Sequence, residues 1–183
     1  MKLSMGTRSL LIGAHWPLHN VMVVLAWRWL YGSWPTLREM AAIGLHDVGY
    51  LGCREMDGPD GTMHPDVGAT LGDRFLGRDM GDLIRGHSKG YAETVRVPLS
   101  RLYGPDKLSH AFEPVWLYVA RTRLTGEIRQ YRAVAHGCAP RNDDPSVSDH
   151  DWFRVVRSRM ARGGIAAALD VLAPTGLGEH RGR

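Results

Sequence analysis

Residues 41–52, AAIGLHDVGYLG, limit this chain more than any other stretch. An apolar run of helical character ends on two adjacent polar side chains, His46 and Asp47, and then breaks at Gly49 and Gly52. Burying a polar group without a hydrogen-bond partner costs roughly 2–7 kcal/mol, and burying an unpaired charge costs more. A fold that buries the end of this run must therefore bring a partner to the imidazole and the carboxylate. A metal ion is the leading candidate.

The pattern on either side is helical. Pro17 suits the first position of a helix, where its missing N–H would be unpaired anyway, and predicts a helix over 17–31 that Gly32 ends. In SWPTLREMAAIGLHD, Leu37, Met40, Ala41 and Leu45 share an i, i+3, i+4 face, giving a second helix with His46-Asp47 at its end. Residues 48–62, with the cluster MDGPDG, read as loop. MHPDVGATLGDRFLG and DMGDLIRGHSKGY read as short helices with a histidine near an end, and a helix from about Pro105 breaks at Pro114 and resumes. APRNDDPSVSDH reads as a polar loop, after which Ser148 or Asp149 caps a last helix from about Asp151 to Leu172, weakened at Gly163-Gly164. No alternating strand pattern of useful length is present. The expected fold is all-α, one domain over residues 1–174 with a flexible tail at 175–183.

A chain of 183 residues can bury ~70 % of the surface its unfolded form exposes. Its two cysteines, Cys53 and Cys138, lie in no Cys-x-x-Cys pair, which excludes a disulfide framework and the usual cysteine zinc or redox site. The apolar N-terminal stretch is interrupted by His15, Pro17 and His19 before it reaches the ~20 residues of a membrane span, and no signal-peptide cleavage pattern follows it. A cytoplasmic chain with no membrane partner is expected. The formal charge is +4, with Arg154, Arg157, Arg159 and Arg162 forming a dense basic set. Such sets are more often solvated helix faces than nucleic-acid surfaces, so a small anionic substrate is the expected partner. A homo-oligomer is left open.

Nine histidines are present, and several fall in one order with aspartates: His15 or His19, then His46-Asp47, His64, His87 and Asp106. Imidazole and carboxylate donors suit manganese, iron, cobalt, nickel and zinc. Each of these residues falls at an expected helix end or beside a proline or glycine, where several helices can point at one centre. His110 reads either as a neighbour of the ligands or as structural, and His136, His150 and His180 as solvated.

With GLHDVGY closing an apolar helix and YGPDKLS supplying the last aspartate, residues 13–125 resemble the HD-domain superfamily of metal-dependent phosphohydrolases. The resemblance implies an HD-domain-like helical bundle around a metal site. One ion would be held by the first histidine, the His-Asp pair and the last aspartate, here His19 (or His15 as the alternative first ligand), His46, Asp47 and Asp106. HNVMVVLA, beginning at His19, is similar to the family's helix opening and favours that residue; His15, left outside the helix by Pro17, then becomes a substrate contact. His64 and His87 resemble the two further histidines of members that bind two metals. The implied cofactor is one or two divalent transition-metal ions (Mn, Co, Ni, Zn or Fe).

The implied activity is hydrolysis of a nucleotide, as a phosphomonoester or a nucleoside triphosphate, through a metal-activated water. Neither a Gly-x-Ser-x-Gly elbow nor a phosphate-binding Gly-x-x-x-x-Gly-Lys loop is present to suggest other chemistry. Asp47, Lys89 and Lys107 are the expected catalytic residues, the two lysines as cations beside ligands. Arg54 and Arg101 are expected substrate contacts, and Trp16 is preferred over Trp34, Tyr50, Tyr91 and Trp116 as a base-stacking ring. Asp57, Asp66 and Glu113 are candidates for the general acid or base. Two other activities use the same residues. One is cyclic or alarmone nucleotide hydrolysis, which a missing Gly-Tyr-Pro motif disfavours; the other is an HD-fold di-iron oxygenase built on the same six ligands. A non-catalytic chain that keeps the site for stability is the third alternative.

Overall fold

A reciprocal pair of hydrogen bonds starts the helix that delivers the His-Asp pair: the Thr36 hydroxyl accepts from the Glu39 N–H, and the Glu39 carboxylate accepts from the Thr36 N–H at 2.7 Å. The computed structural model describes residues 3–134 and 146–172, and every regular element among them is helical. In chain order these are α1 (Met5–Ile12), α2 (Pro17–Tyr31), α3 (Leu37–Leu45), a 3₁₀ turn (Val48–Tyr50), α4 (Pro59–Thr62) and α5 (Pro65–Phe75). They are followed by α6 (Arg78–Arg85), α7 (Lys89–Val95), α8 (Tyr103–Ser109), α9 (Val115–Thr125), α10 (Glu127–Val134) and α11 (Asp149–Leu172). The fold is all-α.

The helix bounds of α2 and α3 follow the expected signals, with Pro17 at the first position and Gly32 in the left-handed conformation that ends α2. Three stretches differ. Residues 48–62 are not simply loop, because the 3₁₀ turn and the single turn of α4 give Asp47 and His64 fixed backbone neighbours. Helix α1 is an element that the periodicity of the N-terminus did not separate from α2; the two meet at a 62° bend. Gly163-Gly164 does not interrupt α11, which runs unbroken from Asp149 to Leu172. A Cβ on Gly164 would stand 2.6 Å from the Gly104 carbonyl oxygen, and one on Gly104 would stand 2.9 Å from that of Gly164. These glycines let α8 and α11 cross backbone to backbone.

Two apolar cores flank that crossing. Val23 and Trp27 of α2, Ala42 and Ile43 of α3, Ala69 of α5 and Leu83 and Ile84 of α6 form the first. Tyr118 and Val119 of α9, Ile128 of α10 and Trp152 and Phe153 of α11 form most of the second. Helix α8 packs on both α2 and α11 and so joins them, and it carries Asp106. Among the described residues no single helix is long and apolar enough to cross a membrane. Cys138, His136, His180, most of the APRNDDPSVSDH segment and the 175–183 tail lie outside the described residues.

Candidate metal centre

Three of the histidines reach the centre by the same local device. The last carbonyls of a helix lack an intrahelical donor, and here an imidazole supplies one. His46 Nδ1 bonds the Ile43 carbonyl at the end of α3 (2.5 Å), His64 Nδ1 that of Gly61 in α4 (2.6 Å), and His87 Nδ1 that of Ile84 in α6 (2.6 Å). A carbonyl oxygen only accepts, so each Nδ1 carries the proton and each neutral ring presents a bare Nε2. His19, in the first turn of α2, reaches the same state differently. Ser109 spends its hydroxyl proton on the Asp106 carbonyl at 2.5 Å and accepts from His19 Nδ1 at 3.3 Å. Such partners fix tautomer and ring orientation in metal-binding histidines.

The four Nε2 atoms converge on two carboxylates. His46 Nε2 is 3.1 Å and His19 Nε2 3.6 Å from Asp47 Oδ2, while His19 is 3.0 Å and His46 3.7 Å from Asp106 Oδ1. On the other side of the same aspartate, His64 Nε2 and His87 Nε2 are each 3.5 Å from Asp47 Oδ1 and 3.0 Å from one another. All six residues are buried, none more than 6 % exposed. With every ring neutral and protonated on Nδ1 the array would consist of acceptors facing acceptors, and His46 Nε2 and Asp47 Oδ2 complete no hydrogen bond among the described residues. Leaving buried groups in that state costs about 1–3 kcal/mol each, and a cation relieves all of them at once. Two buried groups, His19-His46-Asp106 and His46-Asp47-His87, have ligand atoms close enough together to hold a metal ion. The residues present fit a divalent ion.

The electrostatics agree. Burial opposes charge on Asp47, but the neighbouring His46 and His15 outweigh it and hold the carboxyl well below its ordinary range. Asp106 behaves likewise, burial being outweighed chiefly by Lys107, whose Nζ lies 2.8 Å from Oδ2. Burial lowers His46, yet the Asp47 and Asp106 charges raise it to about 10, so without a metal a proton takes the cation's place. Burial dominates at His87, pushed down to about 4, and at His15 and His110, each pushed down to about 3.

A cavity of about 410 Å³ opens beside the centre. Asp47, His64, His87, Asp106 and Lys107 line it, together with the rings of Tyr50, Tyr118, Tyr131 and Trp152. His15 also lines it, outside α2 as Pro17 requires, with Nε2 3.9 Å from Asp47 Oδ2 and Nδ1 2.8 Å from the Ser9 hydroxyl. Gly49 is needed for the closure of this site, since a Cβ there would stand 1.9 Å from the His64 carbonyl oxygen.

The other expected site residues lie elsewhere. Lys89 opens α7 with its amine 3.7 Å from Glu93, exposed and away from the cavity. Its adjacency to His87 in sequence does not carry over because the chain turns into a new helix at Ser88. Arg54 is exposed. Arg101 sits over the Trp27 and Tyr31 rings and 3.7 Å from Glu39, and Trp16 lies under the Arg121 guanidinium. None of the three lines the cavity. Asp66 accepts from the Tyr91 hydroxyl and Glu113 from Arg121, so of the acid–base candidates only Asp57 borders the cavity. Tyr118, Tyr131, Trp152, Val156 and Met160 had no signal in the sequence beyond their apolar character. They come from α9, α10 and α11, largely beyond residue 125. The His-x-x spacing to a helix-ending carbonyl at 43/46, 61/64 and 84/87 was the signal that could have singled out three ligands.

Comparisons with family models, with curated proteins and with solved structures find no match.

Proposed function

We propose that the chain is a metal-dependent phosphohydrolase that cleaves phosphate esters, with nucleotides as the substrates its family resemblance implies. The observation that carries the proposal is the convergence of four bare Nε2 atoms on both oxygens of one aspartate, at the head of a cavity sized for a small molecule. His19, His46, Asp106 and Asp47 Oδ2 would hold one divalent ion; His64, His87 and Asp47 Oδ1 would hold a second. Ions held there supply an activated water, by lowering its pKa from about 15.7 toward ~7, and polarise a phosphoryl oxygen.

The chain's own groups do the rest. Lys107 is opposed by burial, but Asp106 raises its pKa, so it stays an ammonium and adds positive charge where an ester's phosphate would enter. His15 stays neutral and offers Nε2 as a hydrogen-bond acceptor to a water beside Asp47, its ring held by Ser9. Burial keeps the phenols of Tyr118 and Tyr131 protonated, so they remain donors to a bound organic group. The backbone-held imidazoles need no rearrangement to receive the ions, which is the preorganisation that electrostatic catalysis uses.

The imidazole-rich donor set also favours iron, and with it the di-iron oxygenase reading. One experiment separates the two. The chain is loaded in turn with Mn, Co, Ni, Zn and Fe, its metal content measured, and phosphate release followed on a panel of mono-, tri- and cyclic phosphate esters. Metal-dependent phosphate release is the expected outcome. Two tightly held irons with a mixed-valence spin signal, and no phosphate release with any metal, would replace hydrolysis by oxidation.

A further inference from the structure

Beyond the metal centre, the cavity's charges and rings are unlike those of a polyphosphate site. Lys107 is the one lysine or arginine lining it among the described residues, and it is already paired with Asp106. A nucleoside triphosphate would bring its added negative charge into a space where the described residues offer no second lysine or arginine. The volume, about 410 Å³, is near the small end of the roughly 300–1,000 Å³ typical of ligand sites. Asp57 stands exposed at the rim, and among the described residues nothing hydrogen-bonds its carboxylate. It lines the same cavity as Tyr50, Tyr118 and Tyr131.

Those rings suit a small cation better than a flat base. Tyr50 is stacked on His64 (4.1 Å between centroids, 12° between planes) and Tyr118 on Phe153 (3.6 Å, 3°), so one face of each ring is already covered. The Tyr131 hydroxyl is buried with no partner among the described residues. Several electron-rich rings and a carboxylate with no hydrogen-bond partner among the described residues, around one space, are the arrangement that attracts an alkylammonium group. A phosphate at the metal centre carries about −1.5 to −2 charge, as for other monoesters near neutral pH. The cavity lining thus offers partners for both charges, Lys107 and the metal centre for the phosphate and Asp57 with the rings for a cation.

We propose that the cavity takes a phosphomonoester of a small amino alcohol. Its phosphate lies toward Asp47, Asp106 and Lys107, and its ammonium group toward Asp57 and the wall of Tyr50, Tyr118, Tyr131 and Trp152. This rests on the phosphohydrolase reading for the reaction, but not for the recognition. In hydrolysis, water's oxygen bonds phosphorus as the ester oxygen–phosphorus bond breaks; the products are inorganic phosphate and the amino alcohol, which keeps the ester oxygen and gains a proton from water.

The test compares ethanolamine phosphate with propyl phosphate, its uncharged isostere, and with a nucleoside triphosphate, on metal-loaded chain and on Asp57→Asn. Ethanolamine phosphate is expected to have a kcat/KM about tenfold above propyl phosphate, a ratio that Asp57→Asn brings to about one whatever the variant's absolute turnover. Equal kcat/KM for the first two, or a triphosphate as the best substrate, overturns the proposal. Calorimetry with ethanolamine phosphate reads recognition separately from turnover. If no ester is cleaved but ethanolamine phosphate binds about tenfold tighter to wild type than to Asp57→Asn, recognition stands and the hydrolase reading falls; equal affinity overturns recognition itself.

Discussion

The two oxygens of Asp47 face different company. Oδ2 looks toward His19 and His46, with the Asp106 carboxylate behind them; Oδ1 looks toward His64 and His87, with no second carboxylate paired to them among the described residues. Two unit charges 4 Å apart interact by about 4 kcal/mol at the effective dielectric of a protein site. An additional carboxylate near a divalent ion is therefore worth more than any difference among the imidazoles. The scaffolds differ as well. His19 and Asp106 sit within α2 and α8, and α8 is held by its glycine crossing with α11, whereas His64 and His87 follow the ends of α4 and α6, and α4 is a single turn. Charge and rigidity both favour the Oδ2 side, so we expect that an ion there would be held more tightly and that one on the Oδ1 side would exchange.

The largest effect is expected where the two sides share an atom group. Asp47→Ala removes the ligand common to both and should abolish metal uptake on both sides. Turnover should fall on the order of a thousandfold or more while the helical circular-dichroism signal remains. Retained metal in that variant would mean that the two sides do not depend on one carboxylate.

A smaller effect separates the sides. His64→Ala and His87→Ala should each take the chain from about two ions to about one, the remaining ion resisting a chelator as in wild type. His19→Ala should instead lose the chelator-resistant ion, and His15→Ala should keep both. Chelator titration with metal analysis reads all four variants. A single release step in wild type, or loss of both ions from His64→Ala, would erase the asymmetry.

Much of this contrast was legible in the sequence, and the limits have physical causes. Pro17 and Gly32 mark the ends of α2 through backbone chemistry that is local, and the apolar face of Leu37, Met40, Ala41 and Leu45 marked α3, so both could be placed in advance. The order of histidines and aspartates was legible because each sits beside a helix-ending signal. Lys89 and Trp16 were not, because adjacency in sequence says nothing about which way a side chain leaves the backbone; Lys89 turns outward and Trp16 goes beneath Arg121. The wall of the cavity was illegible for another reason. Tyr118, Tyr131 and Trp152 reach it only because α9, α10 and α11 pack together, a long-range event that apolar periodicity permits but does not specify.

The smallest expected effect is on stability in acid, and it sets His110, near the Oδ2 side, against His87 on the Oδ1 side. The His110 ring lies 5.4 Å from His19. Burial lowers its pKa from 6.5 in the unfolded chain to about 3, so between those values the unfolded state binds the extra proton. Stability from this group is therefore complete above pH 6.5 and lost as pH falls toward 3, at up to about 1.4 kcal/mol per pH unit. His15 and His87 act in the same direction. His46, raised to about 10, acts oppositely: its contribution is complete below 6.5 and is lost as pH rises through 10. The carboxyls Asp47 and Asp106, held well below 3.8, do not enter until the pH falls below about 4. Urea unfolding of the metal-free chain between pH 6.5 and 4.5 separates the histidines from Asp47 and Asp106, while the carboxyls that burial raises, Asp57, Glu113 and Glu127, contribute alike to wild type and variant. His110→Gln should reduce the slope in that window by close to one proton's worth, and His87→Gln by somewhat less, since its pKa is about 4. An unchanged slope in His110→Gln would mean that His110 is not held neutral, and would place the acid sensitivity on the Oδ1 side instead.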